Sequence, residues 1–120
     1  MTLVRHDGMN IGQRLEDAAP NFDFIAPMTY PSHYPNGYYG FANPADHPYE
    51  IIYRDMVKAQ PIMEGKRAKL RPWLQDFDIG AFYGPDKIVA QIKAVKDGGG
   101  MGWFLWNASN NYTIGGLERE

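Results

Sequence analysis

The residues that could do chemistry in this 120-residue chain are few and widely spaced. Asp76 lies in Arg71-Pro72-Trp73-Leu74-Gln75-Asp76-Phe77-Asp78, among aromatic rings. Burial beside such rings raises a carboxyl pKa toward the range useful to a general acid, although an aspartate in this setting also serves as a turn or helix cap. Trp106 is followed by Asn107 and Asn110. An indole offers a flat apolar face on which a ligand can stack, and asparagine amides supply paired donors and acceptors suited to polar groups. The same residues equally build core and turn. Tyr30 brings a phenol that is either a polar stabiliser or a buried ring with a satisfied hydroxyl. His33, His47 and Asp76 lack the close spacing of a metal-binding motif, so no metal is expected.

Composition narrows the classes. Twelve basic and 14 acidic residues give a net charge of −2, and Lys66-Arg67-Ala68-Lys69 is the densest basic run, so nucleic acid is not an expected partner. The absence of cysteine excludes disulfides, a thiolate metal site and a cysteine nucleophile. No apolar run is long enough to span a bilayer, and Met1 to Asp7 lacks the apolar core of a signal peptide.

The elements that must position these residues follow from punctuation and periodicity. Leu15, Ala18 and Ala19, after a start at Asn10-Ile11-Gly12, suggest a short helix closed by Pro20 and Asn21. Phe22 to Tyr30 reads as a strand covered on both faces, with Pro27 counting against a central position. Pro31 to His47 is a long loop rich in tyrosine, proline and glycine, a length usually tied to function or disorder. Pro48 opens a helix with Tyr49, Ile52, Met56 and Ala59 on one stripe, and Pro61 and Gly65 are expected to end it. A strand is expected over Lys69 to Phe77. A helix from Pro85 follows, with Ile88, Ile92 and Val95 at helical spacing and Gly98-Gly99-Gly100 as its stop, and then a strand over Gly102 to Ala108. The alternation predicts an α/β fold with three parallel neighbouring strands joined by right-handed crossovers. Such a sheet cannot close on itself and leaves two open edges, which favours self-association. Strand parity places Trp73 and Gln75 on one face and Leu74 and Asp76 on the other.

Four ordered strings carry a resemblance. They are Phe24-Ile25-Ala26-Pro27-Met28-Thr29-Tyr30-Pro31-Ser32-His33-Tyr34, Asn43-Pro44 through His47-Pro48-Tyr49-Glu50, Arg71 to Phe77, and Gly102-Trp103-Phe104-Leu105-Trp106-Asn107. Together they resemble a bacterial family of glycoside hydrolase domains built as (β/α)8 barrels, over about Met9 to Tyr112. The resemblance implies that residues 1–120 are a single carboxyl-terminal piece, strands six to eight of an incomplete TIM-type barrel. A family strand similar to Phe-Asp-Tyr-Ile-Arg-Phe-Pro has no counterpart here.

In such barrels the active site lies at the carboxyl ends of the strands, which directs attention to Tyr30 to Tyr34, Gln75 to Phe77 and Trp106 to Asn110. The implied roles are catalytic for Asp76 and Tyr30, and substrate-binding for His33, Tyr34, Trp73, Gln75, Trp106, Asn107 and Asn110. A glycosidase normally pairs two carboxyl groups roughly 5 to 10 Å apart, and only Asp76 is well placed. The implied function is hydrolysis of a polysaccharide or cell-wall glycan without a cofactor, with the isolated chain inactive and its setting exported or envelope-associated. The alternative is a noncatalytic carbohydrate-binding or envelope interaction module. A weaker third reading, a metal-dependent deacetylase, would use His33, His47 and Asp76.

Overall fold

The computed structural model describes residues 14–117, so the expected helix start at Asn10 to Gly12 lies outside the described residues. Its elements are α1 (Leu15–Ala18), β1 (Phe24–Ile25), α2 (Pro48–Met63), β2 (Lys69–Leu70), β3 (Trp73–Gln75), α3 (Pro85–Asp97) and β4 (Phe104–Trp106). This is a mixed α/β arrangement whose strands are short and parallel.

The middle strand segment is broken because Pro72 has no N–H to give to a ladder. Its two halves nevertheless form one line. β2 pairs with β1 through Phe24↔Lys69 and Ile25↔Leu70, a further parallel bridge joins Met28 to Trp73, and β3 pairs with β4 through Trp73↔Phe104 to Gln75↔Trp106. Asp76 N–H continues the ladder to Trp106 C=O at 3.0 Å. Three parallel chain segments therefore stand side by side with the residue 69–76 segment in the middle, and the described residues add no further strand at either edge. Pro27 is accommodated because the ladder needs only its carbonyl, which accepts Trp73 N–H at 2.9 Å.

One face of this sheet is covered by α2 and α3. Ile25, Leu70 and Leu74 pack with Ile52, Met56, Ala59, Ile88, Ile92 and Val95 in a single core, and burying each such aliphatic side chain stabilises the fold by about 1.5–3 kcal/mol. The glycines after α3 are close-packed: a Cβ on Gly98 would lie 2.5 Å from Met56 Cβ, and one on Gly100 2.4 Å from Val95 Cγ1. The opposite face is open, with Phe24, Met28, Phe104 and Trp106 all exposed. Arg71 lies over the Phe24 ring at 4.2 Å on that side.

Helix α2 passes Pro61 and ends at Met63, with Gly65 just beyond it in left-handed backbone at φ 71°, so of the two expected stops Gly65 is the one at the helix end. Proline in the last turn gives up only one N–H bond, which the helix tolerates there. The helix also buries a second stripe, Ile51 and Asp55, against the aromatic loop. Both Tyr34 and Tyr39 hydroxyls donate to the Asp55 carboxylate, the latter at 2.8 Å. Lys58 Nζ sits 4.3 Å from the Tyr39 ring centre. These contacts hold Tyr39 in left-handed backbone, φ 54°, a conformation that a bulky residue rarely adopts. The loop from Pro31 to His47 is thereby ordered into three short 3-10 turns, Pro31–His33, Tyr38–Gly40 and Pro44–Asp46.

Candidate functional site

Because the three strand segments are parallel and in line, their carboxyl ends emerge together, and hydrogen bonds tie them to one another. Ser32 N–H donates to Gln75 Oε1 at 3.1 Å, joining the first tip to the second. Gln75 Nε2 donates to Phe77 C=O at 3.0 Å. The Asn107 amide donates to Asp76 C=O, joining the second tip to the third. Gln91 on α3 fixes the middle tip from behind: its Oε1 accepts Gln75 N–H at 2.9 Å and its Nε2 donates to Gln75 C=O at 2.7 Å.

On the open-face side of this rim, Tyr30 is buried, with its ring edge-on to Phe77 (5.4 Å) and to His33 (5.3 Å). Burial, and secondarily the neighbouring Tyr112 phenol, pushes the Tyr30 hydroxyl above its ordinary pKa, so it stays a neutral donor and acceptor. Ser32 Oγ is buried without a hydrogen-bond partner among the described residues. Trp73 is half-buried against Phe104 at 4.7 Å and edge-on to Trp106 at 6.2 Å. The Trp106 indole is 45% exposed, an uncommon state for so large an apolar ring at a strand end.

On the other side, strand parity sends Asp76 toward the helices, opposite to Gln75. Asp76 is buried, and its carboxylate is occupied: Thr113 N–H donates to Oδ2 at 2.7 Å and Thr113 Oγ1 to Oδ1 at 2.6 Å. A cavity of about 440 Å3 opens there, lined by Asp76, Asp78, Phe82, Asn107, Ser109 and Asn111 among others. Its size lies within the roughly 300–1,000 Å3 usual for small-molecule sites. Asp78, a second carboxylate on that wall, accepts Tyr83 N–H through Oδ1 at 2.7 Å.

The rim therefore gathers Tyr30, His33, Trp73, Gln75, Asp76, Trp106 and Asn107, while Tyr34 is turned to Asp55 on α2. Asn107 uses its side chain locally, with Oδ1 accepting Ser109 N–H at 2.8 Å. Asn110 is exposed at φ 58°, a left-handed turn position that asparagine tolerates. His47 stacks on Phe41 at 4.2 Å while His33 packs on Tyr30 and Phe77, and among the described residues no group of three His, Asp or Glu side chains is placed to hold a metal ion. Thr113, Asp78 and Phe82 were not legible as site residues: Thr113 is bound to Asp76 37 positions earlier, and Asp78 and Phe82 lie in a segment anchored by Asn43 and Ala45. A larger groove, about 670 Å3, lies between the carboxyl ends of α2 and α3, lined by Gln60, Met63, Lys69, Asp97 and Met101 among others. It sits at the opposite end of the strands from the tips.

Comparison with known families matches residues 1–112 to the family described as "Putative glycosyl hydrolase domain". No curated protein and no solved structure matches the chain.

Proposed function

The chain belongs to this glycosyl hydrolase domain family, and from that premise we propose that it is the carboxyl-terminal part of a glycan-processing (β/α)8 barrel, supplying the sugar-binding rim of strands six to eight. The observation that carries the reading is the shared rim itself: three parallel tips joined through Gln75, Asp76 and Asn107, with an exposed indole on one side and, on the other, a cavity bearing Asp76, Asp78 and Asn107. The open sheet face supports the incompleteness, since Phe24, Met28, Phe104 and Trp106 form the kind of surface that further strands of a barrel would enclose.

In this reading Trp106 is the stacking platform, with Trp73 supporting it from behind. Tyr30 is a neutral hydroxyl beside the reacting sugar, and His33 lines the approach. Gln75 holds the first tip in place. Asp76 takes part in proton transfer only when Thr113 releases it, so in the resting chain it fixes the segment around Thr113 rather than acting as an acid. Hydrolysis then draws its second carboxyl from elsewhere in the complete barrel, and the 120-residue chain alone turns over no glycan.

Electrophoresis through gels containing soluble glycans tests this. The chain is expected to be retarded by at least one polysaccharide, with Trp106→Ala migrating as in a glycan-free gel. Migration indifferent to every glycan would defeat the proposal, and release of reducing sugar by the purified chain would contradict its inactivity. A second reading, a binding module without chemistry, is favoured by one observation: both carboxylates on the cavity wall are engaged in holding the backbone, Asp76 at Thr113 and Asp78 at Tyr83. An in-frame upstream coding segment with an aspartate-bearing strand favours the enzyme, and a true stop there favours the module.

A further inference from the structure

Phe82 is 75% exposed, the most exposed aromatic ring among the described residues, and it lines the rim cavity with Asp78, Ser109 and Asn111. Leaving so much apolar ring in water is costly. The backbone that carries the ring is fixed. Tyr83, next in the chain, is buried, and its hydroxyl donates to Ala45 C=O at 2.7 Å. Its N–H is taken by Asp78, and Asn43 Nδ2 donates to Gly80 C=O at 3.0 Å, so the segment is pinned at three points around Phe82. The ring lies beside Gly84, where a Cβ would come within 2.8 Å of Phe82 Cε1. With the backbone fixed, only the side-chain torsions of Phe82 are left to lose when a ligand stacks on the ring.

We infer that the Phe82 lip, across the rim from Trp106, is an outer sugar subsite that takes a neutral pyranose of an oligosaccharide laid over the strand tips. This rests on the glycan reading above and adds a length and charge preference to it. Flat apolar stacking is supplied by Phe82, and hydroxyl recognition by Ser109, Asn111 and the free oxygen of Asp78. Among the described residues the cavity wall carries two carboxylates and no lysine or arginine, which disfavours a uronic acid or any other anionic unit.

The test is calorimetric titration of the whole chain with cello- and chito-oligosaccharides of increasing length, and with oligogalacturonates as the anionic ladder. For the neutral series that binds, affinity should rise with length, and Phe82→Ala should remove that rise, weakening the longest oligomer about tenfold while changing the shortest less than about twofold. Phe82→Trp should restore the length dependence, and Trp106→Ala should weaken every length. An unchanged long oligomer in Phe82→Ala, an equal loss at all lengths, or oligogalacturonate binding as tight as the neutral series would overturn the inference while leaving the rim reading intact. Failure of the unsubstituted chain to bind any neutral oligomer would instead remove the rim reading, and this subsite with it.

Discussion

The clamp between Asp76 and Thr113 gives the sharpest prediction about how the rim is held. Removing the carboxylate by Asp76→Ala deletes two hydrogen bonds to a charged group and strands the Thr113 N–H. Hydrogen bonds to charged partners contribute about 1.5–3 kcal/mol each, but the two share one residue and half-exposed Thr113 regains some water, so a loss of about 3 kcal/mol is expected. Thr113→Val removes only the hydroxyl bond, about 1.5 kcal/mol. In Asp76→Asn the amide can accept from Thr113 N–H and donate to Thr113 Oγ1, so only the charge assistance is lost, about 1 kcal/mol. The double variant Asp76→Ala with Thr113→Val should cost about the same as Asp76→Ala alone, because the hydroxyl has no partner left to lose. Urea unfolding followed by tryptophan fluorescence and by circular dichroism measures all four. Full additivity of the two single variants, or a stability unchanged in Asp76→Ala, would refute the clamp and return Asp76 to the role of a free acid.

Other perturbations bear on other parts of the molecule. Burial raises the Asp55 pKa from its ordinary 3.8, against the opposing pull of the Tyr34 and Tyr39 hydroxyls and Lys58. The native state therefore holds its proton above the pH at which the unfolded chain releases it, and stability should fall as pH rises from about 3.8 through the raised value. Asp55→Asn should flatten that part of the profile in a pH series of thermal melts, and an equally steep profile would reject the assignment. Gly98→Ala should destabilise by about 1–3 kcal/mol through overpacking on Met56, read from the urea midpoint, whereas Gly37→Ala, whose Cβ meets no neighbour, should cost only the strain of its left-handed backbone. Leu74→Ala should lose about 2–5 kcal/mol from the core between sheet and helices, and a smaller loss would mean that the helices do not cover that face as described.

The parts of the fold that were legible in the sequence are those set by neighbours a few residues away. Ile88, Ile92 and Val95 at helical spacing gave α3, Pro48 opened α2, and the helix-strand alternation gave parallel neighbours, because each signal is local periodicity or backbone chemistry. Of the two stops expected for α2, Pro61 is passed and Gly65, left-handed just beyond Met63, marks the end. The break at Pro72 was hidden inside a string that otherwise reads as one strand. At the site, the tips around Tyr30, Asp76 and Trp106 could be named from strand ends, but their partners could not. Asp76 is held from 37 positions away and Gln75 accepts Ser32 N–H across 43, distances at which no spacing rule operates. The buried Asp55 was invisible for a related reason: its partners, Tyr34 and Tyr39, belong to a loop whose path follows from the contact rather than preceding it.

The rim can be located in solution by hydrogen-deuterium exchange of the chain with and without the neutral oligosaccharide it binds best. Protection concentrated in residues 75–85 and 104–113, at the carboxyl tips of the strands, is the result the proposed sugar-binding rim predicts. Protection confined to residues 57–65 and 97–101, in the groove at the opposite end, would place the sugar elsewhere and contradict it.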